Sequence, residues 1–136
     1  MQNGADVSYA TPQGVTTLMA AVQNLNLPLV KFTLQKGTDV NSTSKEGKSA
    51  VLYLAEAAGK YQDEKSGKDV LEIFNLLAEQ GADVNYRDGN GRTILILMAM
   101  QHPQFYDEFE QAFTAAGGNK DMKDQYDKTA AEYLEK

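Results

Sequence analysis

Four times in this chain a glycine is followed, twelve residues later, by a threonine or serine that opens an apolar run: Gly4 with Thr16, Gly37 with Ser49, Gly81 with Thr93 and Gly117 with Thr129. The glycines begin the segments Gly4-Ala5-Asp6-Val7-Ser8, Gly37-Thr38-Asp39-Val40-Asn41 and Gly81-Ala82-Asp83-Val84-Asn85, with a worn copy in Gly117-Gly118-Asn119-Lys120-Asp121. Successive glycines are 33, 44 and 36 residues apart. Self-similarity in one register means that the chain stacks copies of one supersecondary unit instead of folding around a single centre. Stacked units offer a long surface to partners and no obvious catalytic pocket.

Each unit reads as two helices. In the first, Thr16 to Val22 forms a short helix with Leu18, Ala21 and Val22 as its apolar positions. Asn24-Leu25-Asn26 turns the chain, and Leu27 to Lys36 forms a longer helix with Pro28 in its first turn, where a missing N–H costs nothing. Its apolar residues Leu27, Val30, Phe32 and Leu34 make no single stripe, as expected of a helix held between two neighbours. Gly37 supplies the left-handed residue that ends it.

The interval of 44 implies eleven extra residues in the second unit. Composition places them at Gly59–Lys68, polar and bracketed by glycines, as a surface loop. Asp69 then caps the next helix, whose buried face is Val70, Ile73, Phe74, Leu76 and Leu77. The third unit adds three residues around His102-Pro103-Gln104, and its second helix is aromatic, with Phe105, Tyr106, Phe109 and Phe113. Thr129 to Lys136 reads as a half unit with a polar outer face, a cap that keeps an array soluble.

A period of about 33 residues, with a turn and two helices, is that of the ankyrin unit, whose signature is Thr-Pro-Leu-His-x-Ala. The chain resembles the ankyrin repeat family in Thr16-Thr17-Leu18-Met19-Ala20-Ala21, in the run Leu76 to Asn85, and in Asp88-Gly89-Asn90-Gly91-Arg92-Thr93. The likeness extends from Gly4 to Leu134. It implies an all-α fold, an ankyrin-repeat α-solenoid of helix-turn-helix units joined by β-hairpin-like loops. Three full units would be bounded by a partial N-terminal hairpin and a C-terminal half-repeat cap. The single domain 1–136 then divides near 4–36, 37–80, 81–116 and 117–136. Two departures stand out. Thr17, Ala50, Ile94 and Ala130 replace the signature proline, and Met19, Leu52, Ile96 and Glu132 replace the histidine. Loss of that histidine implies hairpins that rest more on apolar packing and are looser than a consensus array.

Composition narrows the function. A net charge of -6 argues against a general nucleic-acid binder. No stretch approaches the roughly 20 apolar residues of a membrane span, Leu95–Met100 being the richest run. The chain has no cysteine, so disulfide, zinc-thiolate and thiol chemistry are excluded. Lack of cysteine does not fix the compartment; no signal peptide is visible, and a cytoplasmic location is favoured. Gly4 stands where the second helix of a preceding unit should be ending, which suggests an upstream segment lost by trimming or processing.

Candidate chemistry is thin. His102, the one histidine, precedes a proline in a connection and is read as structural. Asp83-Val84-Asn85 with Asp88-Gly89-Asn90-Gly91 superficially suggests a calcium loop, but Arg87 breaks the alternation of ligands, so these residues are read as turns. Asp63 and Glu64 are read as a solvated pair, flanked by Lys60 and Lys65. No catalytic residue, cofactor or metal ligand is expected.

The favoured function is therefore non-catalytic recognition of a protein or peptide by a monomer, with no nucleic acid or membrane involved. The alternative is a regulatory or targeting fragment of a larger enzyme or multidomain protein. In the ankyrin family partners meet the hairpin tips and the inner face of the first helices. That resemblance nominates Gln13, Val15, Lys45, Lys48, Arg87, Asn90, Arg92, Lys123, Tyr126 and Lys128. Six of the chain's 13 basic residues fall on this edge, which suggests an acidic partner. Reversing Lys48, Arg92 and Lys128 to Glu is expected to weaken binding and spare stability.

Overall fold

Threonine hydroxyls start two of the helices. Thr16 accepts a hydrogen bond from the Met19 N–H at 3.2 Å and Thr93 from the Ile96 N–H at 3.3 Å, which satisfies donors that a helix N-terminus otherwise leaves unpaired. The computed structural model describes residues 10–134, so the expected hairpin at Gly4–Ser8 and the last two residues lie outside the described part. The helices are α1 (Thr17–Gln23), α2 (Leu27–Gln35), α3 (Ala50–Lys60), α4 (Glu64–Glu79), α5 (Ile94–Gln101), α6 (Tyr106–Ala115) and α7 (Ala130–Leu134). A 3₁₀ turn, Pro103–Phe105, leads into α6 and takes up the three residues expected there. The fold is all-helical among the described residues, with one isolated antiparallel bridge between Ala10 and Thr16.

Consecutive helices pair as hairpins, α1 with α2, α3 with α4 and α5 with α6. Odd-numbered helices pack in the order α1–α3–α5–α7, and even-numbered ones in the order α2–α4–α6. One apolar core runs between the two layers and includes Leu18, Val22, Leu54, Ile73, Leu77 and Met98. Between α4 and α6 it becomes aromatic, with the Phe74 ring 4.8 Å from Phe109 and 6.4 Å from Phe113.

The expected surface loop at Gly59–Lys68 is mostly helix. The chain leaves α3 only after Lys60 and enters α4 at Glu64, so the extra residues lengthen two helices. Asp63, rather than Asp69, caps α4, accepting from the Ser66 N–H at 3.1 Å and the Ser66 hydroxyl at 2.6 Å. Those bonds hold the Asp63 carboxyl below the usual carboxylate range. Asp69 lies within α4, paired with Lys65 at 3.3 Å. Gly67 is buried within α4 because that helix passes close to Phe105, whose ring would lie 3.4 Å from a Cβ at this position. Ser49 precedes α3 but does not cap it through its side chain, and its buried hydroxyl has no partner.

The turns that precede the odd helices are four copies of one geometry. In each, the first residue's N–H donates to the carbonyl four residues on, and the fourth residue's N–H donates back to the first carbonyl. The pairs are Thr11 with Val15 and Gly14, Ser44 with Lys48 and Gly47, Asp88 with Arg92 and Gly91, and Asp124 with Lys128 and Asp127. The fourth residue is always left-handed, at φ 78°, 79°, 78° and 61°. Gly91 is held there twice over, since a Cβ would also sit 3.2 Å from the Gln125 backbone nitrogen of the next turn.

Candidate partner-binding surface

The turns form a continuous edge because each is tied to the next. The Lys45 N–H donates to the Gln13 carbonyl at 2.8 Å, and the Gln125 N–H to the Asn90 carbonyl at 3.0 Å. Between the second and third turns the Tyr86 hydroxyl does this work, donating to the Gly47 carbonyl at 2.8 Å. Asparagines add a parallel ladder. The Asn41 amide donates to Gly81 O at 3.1 Å and accepts from the Asp83 N–H at 2.8 Å. Asn85 repeats both bonds to Gly117 O at 3.2 Å and to the Asn119 N–H at 2.7 Å. This ladder supplies polar ties between units that the absent signature histidine had suggested would be missing.

The ten nominated residues separate into groups. Gln13, Lys45, Arg87, Asn90, Lys123 and Tyr126 are exposed, Tyr126 at 70 %. Asn90 is engaged, since its side-chain oxygen accepts from the Gln125 amide at 3.2 Å. Val15 is half-buried and faces a separate apolar groove with Thr17, Ala20 and Leu29 at the α1–α2 end. Lys48 and Arg92 are half-buried and paired. Lys48 contacts Glu56 and lies 3.4 Å from Glu46, with its ammonium 5.6 Å from the centre of the Tyr53 ring. Its hydrogen bond to Glu56 raises its pKa above the ordinary lysine value. Arg92 binds Asp88 at 3.0 Å and Lys123 lies 3.6 Å from Asp127. Lys128 sits 4.4 Å over the Tyr133 ring.

Half of the anticipated basic edge is therefore neutralised within its own unit. Lys45 and Arg87 form no ion pair among the described residues. Reversing Lys48 and Arg92 would set Glu against Glu56 and Asp88, so that change would disturb the fold as well as the edge.

Beside the turns, the odd helices present Gln23, Glu56 and Met100, with Met100 exposed at 42 %. The Gln23 amide reaches Glu56 at 3.4 Å across neighbouring helices. These three were not nominated individually, yet each lies seven residues after Thr16, Ser49 or Thr93, and that register was available to read.

The acidic turn residues serve the backbone. Asp83 accepts from the Asn85 N–H at 3.0 Å, and Asp88 from the N–H groups of Asn90 and Arg92, both at 2.9 Å. Among the described residues, no group of three or more His, Asp or Glu side chains is arranged to hold a metal. No helix of the described residues is long and apolar enough to cross a membrane. Neither protein-family models nor curated proteins yield a match to this chain.

Proposed function

We propose that the chain is an ankyrin-repeat α-solenoid that binds a protein or peptide partner, without catalysis, through its turn edge and the adjoining inner face of α1, α3 and α5. The observation that carries this reading is the repetition of one turn geometry four times along a single edge. A surface built this way gives a partner a row of evenly ordered contacts, and rigid ties between turns reduce the ordering cost of binding. Tyr126 supplies an exposed aromatic ring of the type enriched where interfaces concentrate their energy. Lys45 and Arg87 favour acidic groups on the partner and would act chiefly on association rate and selectivity.

The test compares wild-type bait with the variant Lys45→Glu/Arg87→Glu/Tyr126→Ala, and with Glu79→Ala on α4 as a surface control. Capture of a specific partner should fall about tenfold or more in the first and persist in the control. Equal capture by all three proteins would refute recognition by the turn edge.

A further inference from the structure

The two ends of the helix layers differ in chemistry. At the α6–α7 end, acidic residues stand where earlier units are apolar. Asp107 takes the position of Leu27 and Leu71, Glu110 that of Val30 and Phe74, and Glu132 that of Met19, Leu52 and Ile96. Asp107 and Glu132 are exposed, and the half-buried Glu110 accepts from the Tyr106 hydroxyl at 3.0 Å. A polar outer face of this kind keeps the end of a helical array soluble.

The α1–α2 end has the opposite character. Among the described residues these helices have neighbours on one side only, α3 beside α1 and α4 beside α2. Their other side carries the residues of an internal face. Thr17 shares its position with Ala50, Ile94 and Ala130, and Leu29 shares its own with Ile73 and Phe109. Those five counterparts are at most 1 % exposed, and Phe109 meets Phe74 of the preceding helix pair at 4.8 Å. Thr17 and Leu29 are only half-buried. A groove of about 230 Å³ runs between them, walled also by Val15, Ala20 and Ala21.

Charge distinguishes this end as well. Residues 10–38 include Lys31 and Lys36 and no aspartate or glutamate. Lys31 is held by Glu72 of α4 at 3.5 Å. Lys36 forms no ion pair among the described residues, and its ammonium lies 5.3 Å over the ring of Phe32, which is 39 % exposed. Leu29, Phe32 and Lys36 follow the i, i+3, i+7 spacing that aligns side chains along one helix face. An apolar groove, an exposed ring and an unpaired cation thus adjoin one another. They continue the interface by which each helix pair receives the one before it, so the shape accepted is an α-helix. The lysine selects a helix flanked by carboxylates.

We propose that this side of α1 and α2 seats an amphipathic α-helix of a partner protein, with its apolar stripe in the groove and against Phe32 and a carboxylate against Lys36. A second copy of this chain matches the face less well. Its α6–α7 end would bring carboxylates into an apolar groove, and its α1–α2 end would set lysine against lysine. The surface is separate from the turn edge, and either is able to fail without the other.

The test titrates the ¹⁵N-labelled chain with an acetylated and amidated peptide of residues 63–80, the acidic amphipathic helix that precedes α6 in its layer. A second peptide carries Glu72→Lys and Glu79→Lys. Saturable shifts should centre on the amides of Ala20, Leu29 and Phe32, and the acidic peptide should bind about tenfold more tightly than its lysine counterpart at low salt. Phe32→Ala/Lys36→Glu changes two exposed positions and should weaken the acidic peptide about tenfold or more at an unchanged melting temperature. Lys36→Glu alone should reverse the preference between the peptides, which loss of a merely structural contact would not do. Tyr126→Ala, on the turn edge, should leave the binding unchanged. Sedimentation velocity without peptide should show a monomer. A dimer that is lost in Phe32→Ala/Lys36→Glu would assign the face to a second copy and overturn the proposal. Absence of saturable shifts at these amides, or equal binding of the two peptides, would overturn it too.

Discussion

Gly118 is the position where the repeat pattern and the packing can be set against each other. In the preceding unit Leu77 lies in the last turn of α4 and the following segment carries Ala82, whose N–H donates to Leu77 O at 3.0 Å. The same bond recurs with Phe113 and Gly118 at 2.8 Å, so a larger side chain is matched by a missing one. A Cβ on Gly118 would lie 2.4 Å from Cδ2 and Cε2 of Phe113, a ring that is 0 % exposed and packed against Phe74. The ring has no room to move away. Gly118→Ala should therefore cost about 1–3 kcal/mol by overpacking. Phe113→Leu alone should cost less than the roughly 3–5 kcal/mol of a full Phe→Ala truncation. The double variant restores the Leu–Ala pairing of the preceding unit, so its cost should fall short of the sum by about 1–2 kcal/mol. Urea denaturation followed by far-ultraviolet circular dichroism reads all four proteins, with unchanged m-values as the check that the unfolding reaction is the same. Additivity of the two single changes to within about 0.5 kcal/mol would refute the steric account.

Three further outcomes follow from the same geometry. Asn85→Ala removes two bonds to the next unit at a half-buried site and should cost about 1–2 kcal/mol, measured by the same urea transitions. Leu77→Ala, at 0 % exposure, should cost about 2–5 kcal/mol and reduce hydrogen-exchange protection in α5 and α6 as well as in α3 and α4, because units are stabilised by their neighbours. Burial opposes ionisation of Asp124, but bonds from the Tyr133 hydroxyl and from the Tyr126 and Lys128 N–H groups outweigh it and lower its pKa below the ordinary value of 3.8. The folded state therefore binds this proton less readily than the unfolded chain. The contribution is complete above about pH 4 and is lost as the pH falls through the depressed folded value. Glu132 shifts in the same direction, led by its bond from the Thr129 N–H. Acid titration followed by amide shifts should show α7 loosening before α3 below about pH 4, and Asp124→Asn should blunt that dependence.

Much of the fold was legible because it rests on local chemistry. Thr16 and Thr93 cap their helices through bonds to residues three positions on, and the left-handed glycines are fixed by steric rules that a single residue reveals. The reading failed at the second unit's insertion and on the turn edge. The polar composition of Gly59–Lys68 suggested a loop, yet Asp63 with Ser66 is a capping pair and Lys65 with Asp69 a helical ion pair. Gly67 also misled, because the position is buried in α4 beside Phe105, 38 residues away in sequence. On the turn edge the columns of Lys48 and Arg92 were visible. Their neutralisation depends on which carboxylates the folded units bring to them, Glu56 from α3 and Asp88 from the turn itself. The asparagine ladder was written plainly in Asn41 and Asn85, but its acceptors belong to the following unit.

In the proposed array the units stack along one line with their turns on one edge. Distances between spin labels test it directly, and a chain without cysteine allows clean labelling of introduced pairs. Gln13, Glu46, Asn90 and Tyr126 occupy one register position in the four turns, and all are exposed. Pulsed electron-electron resonance on the pairs 13–46, 13–90 and 13–126 should give separations that increase by about 10 Å per unit, the spacing of packed helices. A 13–126 distance no longer than that of 13–46 would contradict the stacked array.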